Sequence, residues 1–405
     1  MGDWKPIRIG NICKLNQQTY SLSEKWPYVN YLDTGNITEN RINEIQKIVT
    51  DQDTLPSRAR RKVAVDDILY STVRPNQRHY GILKEVLPNM LVSTGFAVIT
   101  ADKSVADSNF LYFYLSQNDI VEGLHAIGEQ SVSAYPSIKP SDIEGLELML
   151  PPLPEQIEIG RTLRALDDKI ENNRKINHHL EQMAQAIFKS WFVDFEPFGG
   201  EMPSDWQEGT ISDLGDVVGG STPSKAKSEY YTRHGIAWIT PKDLSVNKSK
   251  FIAHGADDIT ELGLRNSSAR LMPRGTVLFS SRAPIGYIAI ASGGVCTNQG
   301  FKSIIPKDSV GTAYIYYYLI ENLQTIENMA SGSTFKEVSG STMKSVPAII
   351  PDDDTLRRFQ EECAPIFEKQ ELLEAENANL AEIRDALLPR LMSGELSVAD
   401  LGDVK

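Results

Sequence analysis

The feature that most limits what this chain can fold into is its likeness to itself. Displaced by 200 residues, 166–191 (LDDKIENNRKINHHLEQMAQAIFKSW) aligns without gaps on 366–391 (IFEKQELLEAENANLAEIRDALLPRL). Lys169/Lys369, Glu171/Glu371, Asn177/Asn377, Leu180/Leu380 and Ala186/Ala386 are identical. The flanking segments echo each other with drifting offsets. Trp4 matches Trp206, Asp67-ILYSTV-Arg74 resembles Gly275-TVLFSS-Arg282, Gly95-Phe96 matches Gly300-Phe301, and Tyr112-Phe-Tyr-Leu115 matches Tyr316-Tyr-Tyr-Leu319. Drift of this kind places insertions in the surface loops of two copies of one fold. The order is globule, helix, globule, helix.

The helices carry the strongest periodicity. In the first, Ile159, Leu163, Leu166, Ile170, Asn173, Asn177, Leu180, Ala184, Ile187 and Trp191 alternate spacings of four and three. In the second, Leu356, Phe359, Cys363, Ile366, Gln370, Leu373, Asn377, Leu380, Arg384, Leu387 and Leu391 do the same. That is the seam of a coiled coil, and its narrowness favours helix against helix over an amphipathic helix packed on its own domain. Polar Asn173, Asn177, Gln370 and Asn377 sit mid-seam, where such residues fix register at some cost in stability. Antiparallel pairing would set Asn173 near Asn377 and Asn177 near Leu373. Pro154 suits a first helical turn, and Asp354 or Thr355 can cap the second helix. The expected fold is α+β. Two similar mixed α/β domains (1–152 and 197–351) alternate with two long helices (153–196 and 352–394). The helices pack as an antiparallel coiled coil in a pseudo-twofold internal repeat, and 395–405 form a tail. Gly-Ser-rich Val218–Ala226 and Ala330–Val338 read as exposed loops.

Composition narrows the function. At 41% hydrophobic and 23% charged residues the chain is not generally disordered. No apolar run is long enough for a membrane span, and the first residues lack the apolar core of a signal peptide. Three dispersed cysteines, Cys13, Cys296 and Cys363, fit a reducing cytoplasm. The net charge of −13 is uneven. Residues 351–405 hold 14 acidic and 6 basic side chains, whereas 200–350 hold 14 of each and 1–150 hold 18 acidic and 15 basic. Both globules can therefore carry a local basic face.

Catalytic signatures are missing. Gly219-GSTPS-Lys225 lacks the spacing of a phosphate cradle, and there is no G-x-G-x-x-G and no Asn-Pro-Pro-aromatic tetrapeptide. His178-His179 reads as a solvated helix face, and Asp352-Asp-Asp354 as the favourable charge of a helix start rather than a metal site. No catalytic or metal residue is assigned, and a stand-alone hydrolase lacks its nucleophile–base pair. The candidate binding residues are basic and placed in loops: Arg58, Arg60, Arg61 and Lys62, then Arg74 and Arg78, and in the second copy Lys225, Lys227, Arg270, Arg274 and Arg282. Lysine and arginine hold phosphates, and arginine also reads base edges. Arg74 and Arg282, each just after a strand, are the sharpest pair; the plain alternative is scattered surface charge.

Two stretches resemble a known family. Leu150-PPLPEQIEIGRTLRALDDKIENNRKINHHLEQMAQAIFKSWFVDFEP-Phe198 is similar to the central helical region of type I restriction-modification specificity subunits. Ala386-LLPRLMSGE-Leu396 resembles their C-terminal helical region. The resemblance implies two target recognition domains, each reading half of a split double-stranded DNA site, with helices that set the gap. It implies docking to two modification subunits that bind S-adenosylmethionine, and to restriction subunits that use ATP and Mg2+ for translocation; this chain holds no cofactor. The second helix departs from the pattern, starting Ile350-Pro-Asp-Asp-Asp-Thr where the first has Leu150-Pro-Pro-Leu-Pro-Glu-Gln. A coiled-coil scaffold with two protein-binding domains is the competing reading.

Overall fold

The computed structural model describes residues 4–131, 135–332 and 336–401. Residues 333–335 of the expected loop and 402–405 of the expected tail lie outside the described residues. The two long helices run Leu153–Phe192 and Asp353–Met392, 40 residues each, or about 60 Å at the α-helical rise. The chain divides into two compact units, 1–170 with 379–405, and 171–378. Each unit therefore takes part of both helices.

In the first unit, Lys5–Arg8 pairs antiparallel with Glu147–Leu150. One four-stranded sheet runs Gln46–Val49, Tyr28–Leu32, Met90–Ser93, Ala59–Lys62; the other runs Cys13–Leu15, Phe96–Ala101, Ile68–Ser71, Tyr80–Ile82. The helix Ser108–Ser116 (SNFLYFYLS) is apolar around most of its circumference, so it is buried rather than amphipathic. Phe110, Leu111 and Phe113 share a core with Ile159 and Leu163 of the first long helix and Leu391 and Met392 of the second.

The second unit repeats these parts. Gln207–Thr210 pairs with Pro347–Ile350. A five-stranded sheet runs Gly215–Gly219, Lys302–Pro306, Val277–Ser281, Ile285–Ala291, Phe251–Ile252, and a four-stranded one runs Tyr231–Thr232, Asp257–Ile259, Ile236–Ile239, Val295–Thr297. The buried helix is Thr312–Glu321, and its core partners are Ala184, Phe188 and Phe192 from one long helix and Leu356, Phe359 and Cys363 from the other. Individual hydrogen bonds recur as well. Tyr114 Oη donates to the Glu147 carbonyl at 2.8 Å, and Tyr318 Oη to the Pro347 carbonyl at 2.6 Å. The indole of Trp4 donates to Glu155 at 3.2 Å, and that of Trp206 to Asp352 at 3.1 Å.

The helix starts show what the departing sequence does. Gln156 is fully buried: its Oε1 accepts from the Asp107 amide at 3.0 Å, and its Nε2 donates to the Val105 and Pro151 carbonyls at 3.1 and 2.8 Å. The Pro-Leu-Pro-Glu-Gln motif is thus a staple between the first domain and its helix. At the second helix the cap is Asp352, whose Oδ1 accepts from the Thr355 amide at 3.0 Å, not Asp354 or Thr355. A carboxylate one residue ahead of the helix reaches the orphan amides that residues inside the first turn do not.

Within each unit the long helices lie side by side. In the first unit Leu163 and Ile170 are buried and Leu166, Leu380 and Leu387 half-buried, and Arg384 Nη1 donates to Asp167 at 2.8 Å. In the second, Ile366 and Leu373 are buried and Leu180 and Ile187 half-buried. There Asn173 Nδ2 donates to Asn377 Oδ1 at 3.0 Å and to Glu376 at 2.9 Å. Asn177 Nδ2 donates to the Gln370 main-chain carbonyl and Gln370 Nε2 to the Asn177 main-chain carbonyl, at 3.4 Å each, so the hydrogen-bond partner of Asn177 is Gln370, while Leu373 has no polar side chain to pair with it.

Candidate nucleic-acid interface

The strand Ile68–Ser71 turns into Tyr80–Ile82, and Val277–Ser281 turns into Ile285–Ala291. These hairpin tips carry Arg74 and Arg282. Their register corrects the sequence alignment by one residue. The Thr72 amide donates to the Gly95 carbonyl at 2.8 Å, and the Ser281 amide to the Gly300 carbonyl at 2.7 Å. Thr72 and Ser281 in turn accept from Ile138 and Val338 at 2.8 and 3.0 Å. Thr72 therefore corresponds to Ser281, Val73 to Arg282, and Arg74 to Ala283. Arg74 and Ala283 share a left-handed backbone, φ 49° in both, which non-glycine residues rarely adopt. Because side chains alternate along an extended chain, a slip of one residue matters, and the two arginines are not equivalent.

Their surroundings differ accordingly. The Arg74 guanidinium lies 4.5 Å from the ring centre of Tyr135, which is exposed. Arg282 is half-exposed, with Glu337 at 3.7 Å, a separation and exposure that hold it only weakly. It lines a cavity of about 860 Å³ with Thr240, Lys242, Asn298, Glu327 and Lys336. Three cations, Lys242, Arg282 and Lys336, and the Glu327 carboxylate line it, with Glu337 beside Arg282. Lys225, Lys227 and Arg270 are exposed, with the Lys227 ammonium 5.1 Å from the Tyr230 ring centre.

Other candidates are committed elsewhere. Arg58 is exposed, but Arg60, Arg61 and Lys62 lie in the edge strand Ala59–Lys62, not in a loop, and are half-buried. A run of cations hides the apolar alternation by which a strand is recognised. Lys62 pairs with Glu24 at 2.6 Å. Arg60 Nη1 and Arg61 Nε are buried and have no hydrogen-bond partner among the described residues. Arg78 donates to Asn118 at 2.6 Å and to Glu39 and Tyr80 at 3.4 Å each. Arg274 pairs with Glu371 of the second long helix and donates to the Ser292 carbonyl at 3.1 Å, so it anchors a loop to that helix.

Sequence reasoning missed Lys250, which is 7% exposed. Burial lowers its pKa to about 8, opposed by the neighbouring Glu181 carboxylate. A lone lysine in Lys248-Ser-Lys250 gives no signal of burial, since lysines are seldom buried unless paired. Cys13, Cys296 and Cys363 are buried free thiols. Among the described residues no helix is long and apolar enough to cross a membrane, and no cluster of three His, Cys, Asp or Glu side chains could hold a metal ion.

The fold defines a two-domain mixed α/β protein built on long helices, with one arginine at each of two matching hairpins. The model of the type I restriction modification DNA specificity domain matches the chain twice, over residues 1–182 and 203–384, and the chain belongs to this family. It is similar over 98% of its length to all of the type I restriction enzyme HindI specificity subunit of Haemophilus influenzae, at 29% identity. A stretch of 172 residues, 42% of this chain and 40% of the relative, is 43% identical to the MjaIX specificity subunit of Methanocaldococcus jannaschii. Among solved structures, the type I restriction-modification S subunit from M. genitalium shares the fold, with a TM-score of 0.59 and 17% identity over 96% of each chain.

Proposed function

We propose that this chain is the DNA-specificity subunit of a type I restriction-modification complex. Each domain reads one half of a split site in double-stranded DNA. The long helices form an antiparallel coiled coil about an internal pseudo-twofold, set the gap between half-sites, and dock two modification subunits. The chain is a non-catalytic reader: S-adenosylmethionine belongs to the modification subunits, and ATP and Mg2+ to the restriction subunits. The observation that carries this reading is the double family match, each half of which spans one domain and most of the helix after it.

Physical features support it. Half-sites one helical turn apart, about 34–36 Å, present the same face, and helices of about 60 Å are long enough to separate two readers. The acidic second helix is unsuited to phosphates and suits protein partners. Arg74, Arg282, Lys225, Lys227 and Arg270 are the candidates for DNA contact, and Arg58 joins them. Arg60 and Arg61 each keep a buried N–H group without a partner among the described residues, out of reach of a phosphate at the surface, and so rank below them. Arg78, Arg274 and Lys62 are already paired with Glu39, Glu371 and Glu24.

The test is equilibrium binding of duplexes by the chain with its modification subunits, across a salt series. Binding that weakens steeply with salt and depends on two separated base clusters is expected. Binding indifferent to base sequence would overturn the reading and favour a protein scaffold.

A further inference from the structure

In the second unit one ammonium is sunk where the domain meets both helices. Lys250 Nζ donates to Glu181 Oε2 on the first long helix at 2.8 Å, to Gln370 Oε1 on the second at 3.0 Å, and to Tyr317 Oη at 3.0 Å. All three of its donors are used. The ring centres of Phe367, Tyr316 and Tyr317 lie 3.6, 4.4 and 4.8 Å from the nitrogen. The main chain is held too, since Glu374 accepts from the amides of Lys250 and Phe251 at 3.0 Å each. The attachment lies at the start of the edge strand Phe251–Ile252.

A buried ion is a poor way to gain stability, because desolvation offsets most of the attraction, and an apolar replacement of similar volume is often tolerated. What it supplies is direction. Apolar contacts such as Phe251 on Phe367 tolerate sliding, whereas three donors aimed at acceptors on two helices and a tyrosine admit one arrangement. We propose that Lys250 is a positioning residue: it fixes the angle at which the second domain is held on the helix pair, and so sharpens the choice of gap between half-sites. The proposal rests on the split-site reading above.

The experiment uses the complete complex with its modification subunits and measures methylation of duplexes carrying the preferred gap or one a base pair longer or shorter. In Lys250→Met the rate at the preferred gap stays close to wild type, while the preference over neighbouring gaps falls about five- to tenfold. Glu181→Gln keeps an acceptor for the ammonium and retains the wild-type preference. Should Lys250→Met fail to fold, Glu374→Gln, which weakens the main-chain anchor and leaves the aromatic box, loosens the same ratio. An unchanged ratio in Lys250→Met and Glu374→Gln, or equal losses at every gap, overturns the proposal. A wild-type complex with no gap preference overturns the split-site reading, and the proposal falls with it.

Discussion

The two places where a domain meets the helix pair are built from the same parts and finished differently. Tyr112 and Phe113 in the first unit correspond to Tyr316 and Tyr317 in the second. Around Tyr112 and Phe113 the joint is a polar cavity of about 290 Å³, with Glu39 and Arg78 from the domain and Asp167 and Arg384 from the helices. Each arginine there pairs within its own wall, Arg78 with Glu39 and Arg384 with Asp167. Around Tyr316 and Tyr317 the joint is bridged, because Lys250 crosses from the domain to Glu181 and Gln370, and a smaller cavity of about 140 Å³ remains beside Phe251 and Phe367. At the displacement of 200 residues, Asp167 corresponds to Phe367 and Arg384 to Ala184. Exchanging an ion pair for a ring and a methyl group makes room for the lysine and gives it a π face. The two joints thus hold their domains by different chemistry, one around an open polar cavity and one through a buried lysine.

That contrast sets an order of effects. Removing the charged acceptor of the lysine joint should cost most. Glu181→Ala strands a buried ammonium and should lower unfolding stability by about 3–5 kcal/mol in chemical denaturation. If the loss is negligible, Lys250 is not held as described. Next comes the staple at the first helix start. Gln156→Leu leaves the Asp107 amide and two carbonyls unpaired and should cost about 2–3 kcal/mol, whereas Gln360→Leu, with its single bond of 3.4 Å to the Ala313 amide, should cost under about 1 kcal/mol. Equal losses would show that the two helix starts are not held unequally.

Proton linkage distinguishes the joints too. Burial holds the folded Lys250 near 8, below its ordinary value of about 10.4. The native state therefore binds fewer protons than the unfolded state between those values, and stability rises with pH across that window. Glu181, Glu374, Cys363, Tyr316 and Tyr317 face the same nitrogen. The two tyrosines are pushed upward by burial, so their contribution is present below pH 10 and lost above it. The buried thiols Cys13, Cys296 and Cys363, pushed upward by burial, lower stability above about pH 9 in wild type and variant alike, so the lysine shows in the difference: relative to Lys250→Met, wild type is expected to gain roughly 2 kcal/mol between pH 8 and 10 in thermal unfolding. The joint around the polar cavity responds least: Asp167→Asn should cost about 1 kcal/mol, since Arg384 retains Asp385 at 2.8 Å.

Much of this was legible in the sequence. Spacings of three and four gave the long helices within a few residues, because a seam must recur to stay facing its partner. Asn173 and Asn377 were matched for the same reason: polar groups in an apolar stripe have few places to go. The hairpin tips are legible but their alignment is off by one position, since Val73 and Arg74 against Arg282 and Ala283 offer no apolar pattern to fix the register. The strand Ala59–Lys62 was hidden by its own cations. Lys250 was invisible because its partners lie 69 and 120 residues away in the chain. Long-range burial leaves no local trace.

The most direct test of the two-reader account is adenine methylation mapped across the genome of cells carrying the complex, with the chain either wild type or Arg282→Ala. The account predicts a split motif with a fixed gap, and a variant that relaxes bases in one half only, by about 1–3 kcal/mol of discrimination, or roughly 5- to 150-fold. A continuous motif, or relaxation spread over both halves, would contradict it.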